Sequence, residues 1–179
     1  MHDLRQGWIA HPFSIPRPLR RWLSDRGSLT QRLRSRCHGF RVVPHATGCA
    51  RPHADEFAQL DLAAGVRTYV REVSLMCGDT PMVFAHSVLP LTGLRGGWTH
   101  ITRIGNRSLG EALFRNRRIA RQPLAFRCVR RGHPLHRAAA ARLPVAPQRL
   151  WARRSVFCLN GHPLLVTEVF LPAIETLCP

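Results

Sequence analysis

The most constraining stretch of this chain is its last apolar run, Val156-Phe-Cys-Leu-Asn-Gly-His-Pro-Leu-Leu-Val-Thr-Glu-Val-Phe-Leu-Pro172. Asn160-Gly161 between two apolar segments predicts a two-residue hairpin turn, because both central positions need positive φ. The segment after the turn is then a strand whose side chains alternate between faces. Leu164, Val166, Glu168 and Phe170 fall on one face, and Leu165, Thr167, Val169 and Leu171 on the other. Glu168 thereby shares a face with three apolar neighbours. A carboxyl group in that setting stays protonated, finds a partner or anchors a ligand, unless the strand is an edge that turns the glutamate to water.

A second hairpin is predicted from Arg67–Cys77 and Met82–Leu89, turned by Gly78-Asp-Thr-Pro81. Tyr69, Arg71, Val73, Leu75 and Cys77 share its more apolar face. An arginine there is either paired with an acid, Glu168 among the candidates, or waiting for an anionic ligand. Two helices precede this hairpin. The first runs from about Pro18 to Ser24 and ends at Gly27; the second is capped by Ser28, with Gln31 completing a capping box. Ser108 and Glu111 repeat that pattern ahead of a third helix. Leu29 and Leu109 are each first in their helix, where backbone amides lack an internal acceptor and favour negative charge.

The remaining segments are read more coarsely. Phe40-Arg-Val-Val43 is a short strand broken by Pro44, followed by a polar irregular stretch to Ala64. Residues 93–107 form a glycine-rich loop, Leu124–Arg131 a strand, and residues 133–147 an alanine- and proline-rich loop before the strand Leu150–Leu159. This order predicts an α+β domain on a single antiparallel sheet of about six strands. One domain spans residues 1–179, with residues 1–17 a proline-punctuated coil on its surface.

A net charge of +17 ordinarily suggests nucleic acid. All 27 basic residues are arginine, however, and they are spread along the chain without aromatic interleaving or a helix-turn-helix pattern. That pattern reads as codon bias, so no specific nucleic-acid partner is expected. The absence of lysine excludes Schiff-base chemistry. Six cysteines form no C-x-x-C pair and are read as reduced packing residues. His133-x-x-His136 and Cys49-x3-His53 each lack a second ligand pair, so no metal is expected. No apolar run reaches membrane-span length. Leu19-Arg-Arg-Trp-Leu23 is followed by no apolar export segment, so the chain is expected to be cytoplasmic.

Three blocks taken together resemble the chorismate pyruvate-lyase family: Tyr69-Val-Arg-Glu-Val-Ser-Leu-Met-Cys-Gly-Asp-Thr-Pro81, Ile104-Gly-Asn-Arg-Ser-Leu-Gly-Glu-Ala-Leu-Phe114 and the C-terminal Asn160–Pro172 segment. The resemblance runs in order from about Leu19 to Pro172. It implies a cofactor-free cytoplasmic monomer whose helical flaps cover a buried ligand pocket. It also implies an activity that eliminates pyruvate from chorismate to give 4-hydroxybenzoate for ubiquinone. The family's ligand-contacting arginine falls on Arg71, its acid on Glu168 and the leucine opening its central helix on Leu109. A fourth contact, commonly methionine, falls on Leu29, a change of little consequence if the contact is the backbone amide. The resemblance thus assigns substrate binding to Leu29, Arg71, Leu109 and Glu168, and the chemistry to Glu168 with Arg71. Glu168 is expected to supply a hydrogen bond or a proton. Residues 39–64 match poorly, and nothing is carried over from them.

Two rivals remain at this level. Effector domains of some bacterial transcription regulators are similar in fold and bind small molecules without turnover, but they follow a winged helix, a pattern not seen before the main hairpin. The second rival is a basic nucleic-acid-associated protein.

Overall fold

The computed structural model of the chain describes residues 7–11 and 15–178. Its helices are α1 (Arg17–Leu23), α2 (Leu29–Arg34), α3 (Ala54–Gln59), α4 (Leu91–Arg95), α5 (Leu109–Arg115) and α6 (Pro134–Ala140). Its strands are β1 (Phe40–Ala50), β2 (Thr68–Cys77), β3 (Thr80–Pro90), β4 (Ala120–Arg121), β5 (Ala125–Arg130), β6 (Arg149–Leu159) and β7 (His162–Phe170). All pair antiparallel in one open sheet of order β1-β2-β3-β7-β6, with β4 and β5 sharing the outer edge of β6. The seventh strand beyond the expected six is the two-residue β4.

Asn160 and Gly161 adopt φ of 51° and 79°, the left-handed pair that the β6–β7 turn requires. Their hairpin lies inside the sheet, since β7 sits between β3 and β6. An edge glutamate turned to water is therefore ruled out for Glu168.

Several local expectations are corrected. Pro44 does not end β1: the strand continues to Ala50 across a register shift between Pro44 and Ala46. β1 is an edge strand, where a missing N–H costs no ladder bond. The stretch to Ala64 contains α3, capped by His53, whose backbone N–H donates to Glu56 Oε2 at 2.7 Å. Histidine is an uncommon cap, so the start signal was missed. The loop at 133–147 begins with α6, whose Pro134 at the first helical position marks a start. Residues 93–107 hold the end of α4 and a short 3₁₀ turn, Ile101–Arg103. The coil expected over residues 1–17 lies partly outside the described residues. Within them, Trp8 is buried, its Nε1 donating to Asp55 Oδ2 at 2.7 Å, and Ile9 bridges to Phe126.

The two faces of the sheet are covered differently. Leu135 and Ala139 of α6 pack with Phe84, Val129 and Val169 on one face. On the other, Trp22 and Leu23 of α1 and Leu29 and Leu33 of α2 pack with Val73, Leu75 and Phe170. Helices of six or seven residues do not persist alone. Burial of Leu23 and Leu33, each fully inaccessible, contributes about 2 kcal/mol apiece and holds these flaps against the sheet.

Candidate active site

Strand register builds the floor of a pocket on the face covered by α1, α2 and α5. One row across the strands runs Arg71–Ser87–Val166–Ser155, and the next runs Val73–Ala85–Glu168–Arg153. Ser87 and Ala85, the β3 members of the two rows, are small, which leaves empty space above the sheet. The cavity, counting its mouth, measures about 610 Å³, and Leu29, Arg71, Leu109 and Glu168 all line it. Arg71 and Glu168 thus reach one cavity from different strands.

The roof is a clasp between two helix starts. Ser28 Oγ accepts from Gln31 N, and Ser108 Oγ accepts from Glu111 N, both at 3.3 Å. Ser108 Oγ also donates to Thr30 Oγ1 at 2.8 Å, tying α5 to α2. A Cβ at Gly110 would lie 2.9 Å from Thr30 Oγ1, so this close approach requires glycine. Glu111 pairs its carboxylate with Arg34 of α2.

Arg71 is 4% exposed, and its Nη2 donates to the carbonyls of Gly105 and Arg107 at 2.8 and 3.0 Å. It forms no ion pair among the described residues. Burial pushes its guanidinium down from its ordinary value, as expected of a desolvated cation lacking a counterion. The acid's partner is a residue the sequence reading missed. Arg153, 1% exposed, donates from Nε to Glu168 Oε2 at 2.5 Å, and from Nη1 to the carbonyls of Trp22, Leu23 and Asp25 at 3.1, 3.2 and 2.6 Å. The alternation that singled out Arg71 also places Arg153 amid the apolar run of β6, so the signal was present.

Arg121 was also missed, and a two-residue strand carries no periodicity to reveal it. Its Nη1 donates to Arg26 O at 2.6 Å and its Nε to Ser155 Oγ at 3.3 Å. The guanidinium sits 5.4 and 5.1 Å from the rings of Phe114 and Phe157. Burial, and then the positive charge of Arg153, push it down from its ordinary value. The charged groups lining the pocket are these three guanidiniums and the Glu168 carboxylate. Two positive charges are therefore uncompensated.

On the opposite face, His53, Glu56 and His86 bring three potential ligand atoms within 4.8 Å of one another. The two imidazoles are stacked, 4.7 Å apart and 11° from parallel. An ion lies in the plane of each ring that binds it, so stacked rings do not present their lone pairs to one ion. The group is an ion-pair network: His86 lies 3.1 Å from Glu56 and 3.0 Å from Glu72. Burial opposes charge on His86, but its close contact with the Glu56 carboxylate and its hydrogen bond with Glu72 raise its pKa to about 9. Glu56, despite burial, is held well below the usual carboxylate range by His53 and His86. Arg142 adds a further positive charge near Glu72.

The His86 contribution is fully present below its unfolded value of 6.5 and is lost as pH rises through 9. The Glu56 contribution is present above 4.5 and is lost as pH falls. Stability is therefore expected to drop by roughly 3 kcal/mol between pH 6.5 and 9.5. Urea unfolding at both pH values checks this, and His86→Gln should flatten the difference.

A cavity on one face of an antiparallel sheet, roofed by two clasped helix starts, defines a ligand-enclosing α+β domain. The effector domain of PhnF from Mycobacterium smegmatis has this fold, with a TM-score of 0.56 at 16% identity, covering 82% of this chain and 90% of that one. The ligand-binding domain of a putative GntR-family regulator from Bordetella bronchiseptica matches with a TM-score of 0.51 at 19% identity, over 75% and 86% of the two chains. At such identities the likeness is one of fold alone.

Within that class, the chain belongs to the chorismate lyase family, whose model matches residues 10–176. A probable chorismate pyruvate-lyase of Thiobacillus denitrificans is 57% identical, covering 97% of this chain and 92% of that protein. One from Nitrosomonas europaea is 48% identical, over 95% and 96%. Among the described residues no helix is long and apolar enough to cross a membrane.

Proposed function

We propose that this chain is a chorismate pyruvate-lyase that releases 4-hydroxybenzoate and pyruvate from chorismate. The observation that carries this reading is a pocket with two uncompensated positive charges, matched to a substrate with two carboxylates. Arg71 holds the ring carboxylate, and the first-turn amides at Leu29 and Leu109 add donors without mobile charge. Leu29 is 3% exposed and packs in the flap core, and as the first residue of α2 it has a backbone amide with no acceptor inside the helix to offer. Glu168 Oε2 is occupied by Arg153, which leaves Oε1 to accept a hydrogen bond from the 4-hydroxyl. This pairing favours an acceptor role over the proton donation expected from an isolated carboxyl group.

The reaction breaks the C3–O ether bond and removes the C4 hydrogen, and the departing enolpyruvate gains a proton at its methylene carbon. Aromatisation supplies the driving force. The protein's residues orient the ring, exclude water and stabilise charge on the leaving group. The reading includes a cytoplasmic monomer without cofactor or nucleic-acid partner, feeding ubiquinone synthesis.

The fold neighbours favour one other reading, a sensor that binds an aromatic acid without turning it over. Incubation with chorismate, following 4-hydroxybenzoate absorbance and pyruvate together, separates the two. Stoichiometric appearance of both products is expected. Binding of 4-hydroxybenzoate without turnover would leave the sensor.

A further inference from the structure

We infer that Arg121 binds the carboxylate of the enolpyruvyl group, making it a substrate-specific contact that the product does not use. The inference rests on the lyase reading and deepens it. Of the three pocket guanidiniums, Arg153 is committed to Glu168 and three carbonyls. Arg71 and Arg121 form no ion pair among the described residues, and their hydrogen bonds go to carbonyls and a hydroxyl. A substrate with two carboxylates thus meets two guanidiniums that are in no direct ion pair, Arg121 feeling Glu168 and Asp25 only at longer range.

Their separation fits a substrate longer than its product. Arg71 lies at the β2 end of the floor row, and Arg121 docks on Ser155 at the β6 end. Three strand spacings set those row ends about 14 Å apart at the backbone, and two long arginine side chains shorten the gap between charges. Glu168 is on the adjoining row, on β7 beside Arg153. A ring whose carboxylate meets Arg71 and whose 4-hydroxyl meets Glu168 directs its C3 substituent toward one flank of that acid, where Arg121 stands. The guanidinium is already oriented by Phe114, Phe157, Ser155 and Arg26, so little freedom is lost on binding. Arg121 also borders an outer groove with Ala10, Ser24 and Gln122, which places the leaving fragment at the pocket's far end.

The test separates substrate from product recognition. Arg121→Met should lower kcat/KM for chorismate by about a hundred-fold while leaving the 4-hydroxybenzoate Kd within about twofold, and Arg121→Lys should recover part of the loss. Equal losses in kcat/KM and product affinity would reduce Arg121 to a structural strut, and an unaltered kcat/KM would end the proposal. Because Arg121 also ties the flap to β6, a second measurement needs no variant. In the wild-type protein, 3-(carboxymethoxy)-4-hydroxybenzoate should bind at least about tenfold tighter than 3-methoxy-4-hydroxybenzoate. Equal affinities would overturn the inference. Absence of wild-type turnover would instead sink the lyase reading, and the analogue comparison would still report on the second carboxylate.

Discussion

Arg71→Met is expected to weaken 4-hydroxybenzoate binding by about 3 kcal/mol, roughly a hundred-fold, with kcat/KM for chorismate falling at least as far. The magnitude follows from burial. Arg71 is 4% exposed, and water cannot replace it as partner of a carboxylate enclosed between sheet and flaps. A hydrogen bond to a charged group is worth about 1.5–3 kcal/mol, and a desolvated anion left without its counter-charge adds to that loss. The same substitution leaves the Gly105 and Arg107 carbonyls without their donor, costing about 1–2 kcal/mol of stability. Isothermal titration well below the melting temperature keeps the two effects apart. Arg71→Lys should recover only part of the affinity, because an ammonium lacks the planar fork that grips a carboxylate at two points. Product affinity equal to that of the unmodified protein would remove Arg71 from the site.

Arg71 and Glu168 were legible because strand alternation is a strict rule. A single charge amid apolar neighbours on one face of a strand points into whatever that face covers. The two capped helix starts were legible for a similar reason, since serine caps leave a local signature at Ser28 and Ser108. What escaped was decided by contacts distant in sequence. Arg121 reaches the pocket through its bonds to Arg26 and Ser155, and nothing near it in the chain announces either partner. α3 was obscured because its cap is a histidine also drawn into the buried network with Glu56 and His86. Pro44 misled in the other direction: its effect depends on whether β1 is an edge, which only the strand order settles. The partner of Glu168 was likewise a question of register. Pairing of Arg153 with Glu168 across β6 and β7 follows once the turn at Asn160-Gly161 fixes which residues stand opposite.

That pairing makes Arg153 the position whose loss should damage the molecule most. Arg153→Met is expected to destabilise the fold by about 3–5 kcal/mol and to reduce turnover of chorismate by more than about a hundred-fold. The guanidinium joins two parts of the site. Through Nε it holds the carboxylate that lines the cavity, and through Nη1 it gathers the carbonyls at the C-terminal end of α1, where a cation complements the helix dipole. Removing it strands a carboxylate amid apolar side chains and loosens the flap that excludes water. Arg153→Lys should rescue little, because one ammonium cannot meet the carboxylate and three carbonyls from a single point. A double-mutant cycle isolates the direct term. Glu168→Gln alone leaves the Arg153 charge without its counterion, so the double variant should be more stable than the two single losses imply, with a coupling energy of about 2 kcal/mol. Urea unfolding of the four proteins measures that coupling, and chorismate turnover measures the catalytic consequence. Strict additivity would mean that the 2.5 Å contact contributes nothing to stability. Full activity in Arg153→Met would show that Glu168 holds its working position without help.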